Sequence, residues 1–196
     1  MSRRTLLLLC AAALALQAQE DPNGNRMGIG LAVLRPAGTW SNAYDPGFQA
    51  GLQIHFNRES RHLGRLRIDY LAADSKRALY EDASFPSFLW RRARMEAYGV
   101  AYEWMPHLEN HSRNGLFGIL GMGGTLWNET FRDPTYGAGS RTDSEWSFTL
   151  SAGLGWRFNP HATIEARYAN SDLAFRGHHN YGTQRAAVTF GTSLRF

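Results

Sequence analysis

Charged side chains recur in this chain at every second position. Arg65, Arg67 and Asp69 form one such run and Glu165 and Arg167 another, while Glu103, Arg157 and Arg195 stand among small residues that alternate with apolar ones. Alternate residues of an extended strand share a face, so each run places its charges on one side. Arginine and carboxylate groups gathered in this way make forked, charge-assisted hydrogen bonds. Once out of water such groups must be paired or hydrated, because burying a lone charge is costly. The chemistry they suggest first is a fixed salt-bridge network.

Other reactive groups are sparse. The seven histidines are scattered, and no ligand spacing recurs, so no metal and no cofactor are expected. His178 and His179 lie beside Gly177 and Asn180 and read as a solvated pair in a loop. Gly28-x-Gly30 and Gly121-x-Gly123-Gly124 are not nucleotide loops, because no helix is expected after them; small residues in strands are the simpler account.

The elements that carry these residues begin after a leader. Met1-Ser2-Arg3-Arg4, the apolar run Leu6 to Leu16 and the small residues around Ala18 have the arrangement of a secretory signal peptide. Residues 1–18 are assigned to it and residues 19–196 to one β-barrel domain. Cleavage after Ala18 removes Cys10, the single cysteine, so no disulfide framework is expected in the mature protein. It also removes two arginines, Arg3 and Arg4, which lowers the formal net charge from +4 by two. The apolar run is too short for a transmembrane anchor, and nothing after it could form a membrane helix. An exported chain of this kind is soluble or spans a membrane by strands, whose apolar character is hidden in alternation.

Eight strands are expected: Met27 to Leu34, Phe48 to Asn57, Gly64 to Ala72, Ala93 to Met105, Leu116 to Trp127, Ser144 to Phe158, Ala162 to Ala169 and Ala186 to Phe196. Phe48, Ala50, Leu52, Ile54 and Phe56 oppose Gln49, Gly51, Gln53, His55 and Asn57 in the cleanest of them. The fifth, LFGILGMGGTLW, leaves its facing open. Arg35 to Pro46, Ala73 to Arg91, Asn128 to Asp143 and Asn170 to Gln184 read as long loops. Arg58 to His62, Pro106 to Asn114 and Asn159-Pro160-His161 read as shorter turns. Long connections at one end and short ones at the other are the pattern of an eight-stranded, antiparallel, up-and-down transmembrane β-barrel, and they place both termini on the periplasmic side.

Two features set the facing. The polar face is rich in Gly, Ala, Ser and Thr, which suits a crowded barrel interior better than a solvated exterior. Aromatic residues gather near strand ends: Phe56, Trp104, Trp156, Phe158 and Phe196 towards the turns, and Phe48, Tyr70, Trp127, Trp146 and Tyr168 towards the long loops. Interfacial girdles predict that placement. The apolar face is therefore expected to meet lipid, and Arg65, Arg67, Asp69, Glu103, Arg157, Glu165, Arg167 and Arg195 to line the lumen as a plug. A gated conduction path is the other use of such a lumen, but so narrow a barrel encloses little beyond its own side chains.

The final strand, AAVTFGTSLRF, with Phe190, Leu194 and terminal Phe196 on one face, resembles the assembly signal of bacterial outer-membrane barrels. Together with GLGWRFNPHATIEARY (Gly153 to Tyr168), it makes the chain similar to the small outer-membrane barrel family of OmpA-type transmembrane domains and OmpX-type proteins. The resemblance implies an integral protein of a Gram-negative outer membrane, inserted as a monomer by the barrel-assembly machinery, with lipid and lipopolysaccharide as its surroundings and no nucleic-acid partner. It implies a structural or surface-interaction role. Some barrels of this size are lipid A deacylases, and those of the PagL type carry a His-x-Ser motif in the penultimate strand. The comparable stretch here, Arg167-Tyr168-Ala169-Asn170-Ser171-Asp172, lacks the histidine that would activate a serine, so no enzyme is expected. Arg91, Arg92 and Arg94, near the outer strand ends, are candidates to contact lipopolysaccharide phosphates.

Overall fold

Period-two alternation sets the strands, and their closure sets the rest. The computed structural model describes residues 26–56, 62–76, 79–80, 89–108, 114–135, 139–171 and 185–196. Its strands are β1 (Arg26–Ala37), β2 (Gly47–Phe56), β3 (His62–Asp74), the two-residue β4 (Leu79–Tyr80), β5 (Leu89–Pro106), β6 (Gly115–Pro134), β7 (Ser140–Asn159), β8 (Ala162–Asn170) and β9 (Ala186–Arg195). Sequence neighbours pair antiparallel from β1 to β3 and from β5 to β9. Two further seams complete the ring. β9 returns to β1, running from Gly28 opposite Arg195 to Ala37 opposite Ala186, and β3 pairs directly with β5. β4 adds only Leu79 opposite Trp90 and Tyr80 opposite Leu89 at the end of β5. Eight strands thus form a closed, up-and-down barrel, which removes the sheet edges within the closed rows.

Three expected loops prove partly ordered into strands. β6 and β7 pair as far as Arg132 opposite Ser140, so most of Asn128 to Asp143 is a continuation of the hairpin. Rungs such as Thr130 Oγ1 with Thr142 Oγ1 (3.2 Å) and Ser144 Oγ donating to Asn128 Oδ1 (2.7 Å) tie it together. Above the apolar belt neither face needs to be apolar, so alternation fades while backbone pairing persists. β6 stops at Pro134, just after Asp133 turns into the left-handed region at φ 55°. Ala73 to Arg91 likewise contributes to β3, β4 and β5. Arg35 to Pro46 holds the end of β1 and a 3-10 turn, Gly38–Asn42.

At the opposite end the Asn159-Pro160-His161 turn is closed by its own first side chain, whose Oδ1 accepts from the backbone N–H groups of His161 (2.8 Å) and Ala162 (2.9 Å). The leader 1–18, most of the Arg58 to His62 turn and the pair His178 and His179 lie outside the described residues.

The fifth barrel strand, β6, is now oriented. Phe117, Ile119, Thr125 and Trp127 are buried, whereas Leu120 and Met122 are exposed. Trp127, expected in the outer girdle, therefore points inward. Its cross-strand neighbour on β5 is Ala97, which leaves room for an indole at the mouth of the lumen. Glycine makes a similar allowance at the other end: a Cβ on Gly155 would lie 2.2 Å from Cζ of Phe117, so only glycine lets that ring turn inward there.

Candidate functional site

The interior of the barrel holds three layers. At the end bearing the short turns, Leu63, Met105, Phe117 and Ile119 pack as an apolar floor. All four follow or precede a turn on inward parity, and the Arg157 guanidinium stacks 5.7 Å from the Phe117 ring centroid.

Above the floor lies the ionic layer. Arg65 on β3 is fully buried and spans the lumen. Its Nε donates to Glu103 Oε2 (2.6 Å), and its Nη1 and Nη2 donate to Glu165 Oε1 (2.6 Å) and Oε2 (2.8 Å). Glu103 accepts in addition from Arg67 Nη1 (2.8 Å) and Arg167 Nη1 (3.1 Å). Arg67 also donates to Asp69 (2.7 Å), and Arg167 Nε sits 3.6 Å from Glu165. Six of the eight residues anticipated as lumen charges, Arg65, Arg67, Asp69, Glu103, Glu165 and Arg167, thus form one connected unit from strands β3, β5 and β8. Arg157 and Arg195 are buried too, but they sit nearer the floor, Arg157 opposite Gly115 at the start of β6 and Arg195 opposite Gly28 near the start of β1. Glu103 accepts three guanidinium bonds, Glu165 two and Asp69 one, so the carboxylates are engaged in ion pairs and the layer's chemistry is cross-linking.

Uncharged partners complete it. Gln53 Oε1 accepts from Ser193 Oγ (2.7 Å) and Arg65 Nη1 (3.2 Å), and lies 3.2 Å from His55 Nε2. Thr163 Oγ1 donates to Glu165 (3.1 Å). Gln53, His55, Thr163 and Ser193 all occupy the polar parity of their strands, a signal present in the sequence but easily passed over beside arginine and glutamate.

The third layer lies at the end bearing the long connections. Leu34, Trp40, Tyr44, Met95, Ala97 and Trp127 form a buried apolar cap. Trp40 comes from the 3-10 turn after β1, and its ring meets Trp127 edge-on at 5.5 Å. Trp127 Nε1 donates to Ser147 Oγ (2.7 Å). Arg185 lies 5.5 Å over the same indole and donates to Glu145 (2.6 Å), with Glu129 at 3.7 Å. Trp40 and Glu129 were expected in loops, Arg185 fell between the last loop and the final strand, and Glu145 stood at the start of the sixth strand, so neither parity nor pairing brought the four together in the sequence. Between cap and ionic layer remains a cavity of about 70 Å³, lined by Gln49, Arg67, Asp69, Thr125, Thr149 and Arg167 among others. It has room for a few waters.

Outside, the faces reverse. Leu31, Val33, Ile68, Val100, Leu120, Met122, Leu154, Phe190 and Leu194 are exposed around the barrel. Phe48, Trp146 and Tyr168 rim this belt towards the long connections, and Trp104, Trp156, Phe158 and Phe196 rim it towards the turns. So broad an apolar surface on a closed barrel with a charged interior is the reverse of a soluble barrel.

A family model for the outer membrane protein β-barrel domain matches residues 5–196. The chain belongs to that family. Solved structures agree on the fold. Ail, the attachment invasion locus protein of Yersinia pestis, superposes with a TM-score of 0.51 at 16% identity, over 88% of this chain and 97% of its own. Neisserial surface protein A gives a TM-score of 0.54 at 14% identity, over 90% of this chain and 100% of its own. No curated protein matches the chain as a relative. The family places the barrel in the bacterial outer membrane, and the exposed belt is then its lipid-facing surface.

The remaining expected chemical groups do not converge. Among the described residues no cluster of His, Cys, Asp or Glu could hold a metal ion. Ser171, the serine of the stretch compared with deacylases, is buried, and its Oγ lies 2.9 Å from Thr149 Oγ1.

Proposed function

We propose that this protein is a sealed outer-membrane barrel with a structural or surface-interaction role, neither a pore nor an enzyme. The observation that carries this reading is the layered lumen. An apolar floor, a cross-linked ionic layer and an indole cap occupy successive levels of the lumen, which supports an interior closed to solutes. The chain is exported on residues 1–18, inserted by the barrel-assembly machinery with Phe190, Leu194 and Phe196 as its signal, and works as a monomer. Closure within one chain supports the last point. Both termini lie on the periplasmic side, and the extended β6–β7 hairpin stands outside, where it can meet a partner.

Expressing the protein in a strain that lacks it, then measuring detergent resistance together with the lipid A mass spectrum, tests the role. Increased resistance with an unchanged acyl pattern is expected. Loss of an acyl chain from lipid A would replace this reading with an enzymatic one.

A further inference from the structure

The lipid-facing side of β5 and β6 changes character abruptly above the girdle. Tyr98 and Leu126 close the apolar belt there. The next outward pairs are Glu96 opposite Asn128, Arg94 opposite Thr130, and Arg92 opposite Arg132. Arg92 and Arg132 thus face each other directly, an arrangement that repels unless something negative lies between. The Arg92 side chain is 81% exposed, and its nearest carboxylate, Asp133, stands 3.7 Å away. Arg94 reaches Glu96 at 3.0 Å, and the same oxygen accepts from Tyr70 Oη at 2.8 Å, so that carboxylate is already held by two donors. On the adjoining strand Thr142 joins Thr130 on the same rung. Arg91, anticipated with Arg92 and Arg94, has the opposite parity and does not share this face.

Four to six residues beyond Tyr98 correspond to roughly 13–20 Å along a strand, and less along the membrane normal once the strand is tilted. Long arginine side chains reach back towards the interface from that height. Their planar forks match phosphate oxygens, and the hydroxyls of Thr130 and Thr142 suit the sugar beside such a phosphate. We propose that Arg92, Arg94 and Arg132 form a clamp for the phosphorylated glucosamine headgroup of lipid A. The proposal rests on the reading that the end of the barrel bearing the long connections faces the lipopolysaccharide leaflet.

The test uses the full barrel refolded in detergent. Its unfolding midpoint is followed with bisphosphorylated lipid A, with dephosphorylated lipid A and with phosphatidylglycerol. The clamp predicts a saturating rise with bisphosphorylated lipid A alone, and an affinity on the order of a hundredfold lower in the R92Q/R94Q/R132Q variant. The R92K/R94K/R132K variant, which keeps the charge but loses the planar forks, should bind more weakly than the wild type and more tightly than the glutamine variant. An equal rise with phosphatidylglycerol would overturn the assignment to lipid A. No rise at all, or the same rise in the glutamine variant, would overturn the clamp. A wild-type band that shows no heat-dependent gel shift would instead defeat the barrel reading beneath it.

Discussion

Arg65 and Glu165, a hundred positions apart in sequence, meet as a two-bond fork in the centre of the barrel, at 2.6 and 2.8 Å. The two strands concerned are not neighbours in the sheet: β3 lies beside β2 and β5, and β8 beside β7 and β9. The fork therefore crosses the lumen and ties opposite walls. Cross-wall ties of this kind resist both ovalisation of the barrel and passage along its axis.

Glu103 is the most heavily shared acceptor, so its removal should be the costliest single change in the layer. Glu103→Ala leaves three guanidinium groups short of a partner, and the expected loss is about 3–5 kcal/mol. A urea titration followed by tryptophan fluorescence would register it as a lower midpoint. A midpoint matching the wild type would show that water compensates the guanidinium groups freely.

The two partners of the fork are expected to act as a pair. Replacing both partners, Arg65→Met with Glu165→Leu, should cost less than the sum of the two single changes, with a coupling in the range of about 0.5–3 kcal/mol. Strict additivity in the double-mutant cycle would mean that the two groups do not act as a pair.

Trp40 is expected to act as the lid of the mouth. Trp40→Ala should cost about 3–5 kcal/mol through the cavity left beside Trp127. It should also expose the Trp127 indole, now buried beneath it, to a water-soluble quencher. Unchanged quenching would locate the seal elsewhere, in the Arg185 and Glu145 pair.

Gly155 should tolerate no side chain. Gly155→Val would place a branched Cβ against the Phe117 ring and displace the floor, at a cost of about 1–3 kcal/mol. The same substitution paired with Phe117→Ala should recover part of that loss, read in the same urea titration.

Much of the wall was legible in the residue pattern because alternation is a local property. Phe48 to Phe56 and Trp146 to Phe158 declare their two faces without reference to anything else. The lumen charges were legible for the same reason: Arg65, Arg67 and Asp69 share parity whatever strand comes next. Register was not legible, since which guanidinium meets which carboxylate depends on closure of the ring and on the tilt of its strands. Arg157 and Arg195 look like members of the network in the sequence, yet register seats them closer to the floor. Trp127 was misplaced because an indole near a strand end suits either an interface or a crowded mouth, and only the facing of β6 decides between them. The outer ends of β6, from Asn128, and of β7, up to Asp143, were read as loop because their hydroxyl and charged residues above the belt carry no apolar period.

Conductance across a planar bilayer tests the sealed lumen most directly. Purified wild-type barrel should insert without discrete current steps. The W40A/E103A/F117A variant, which removes one side chain from each layer, should produce small ones. Sustained steps from the wild-type protein would contradict the sealed interior and make the line of arginine and carboxylate groups a conduction path.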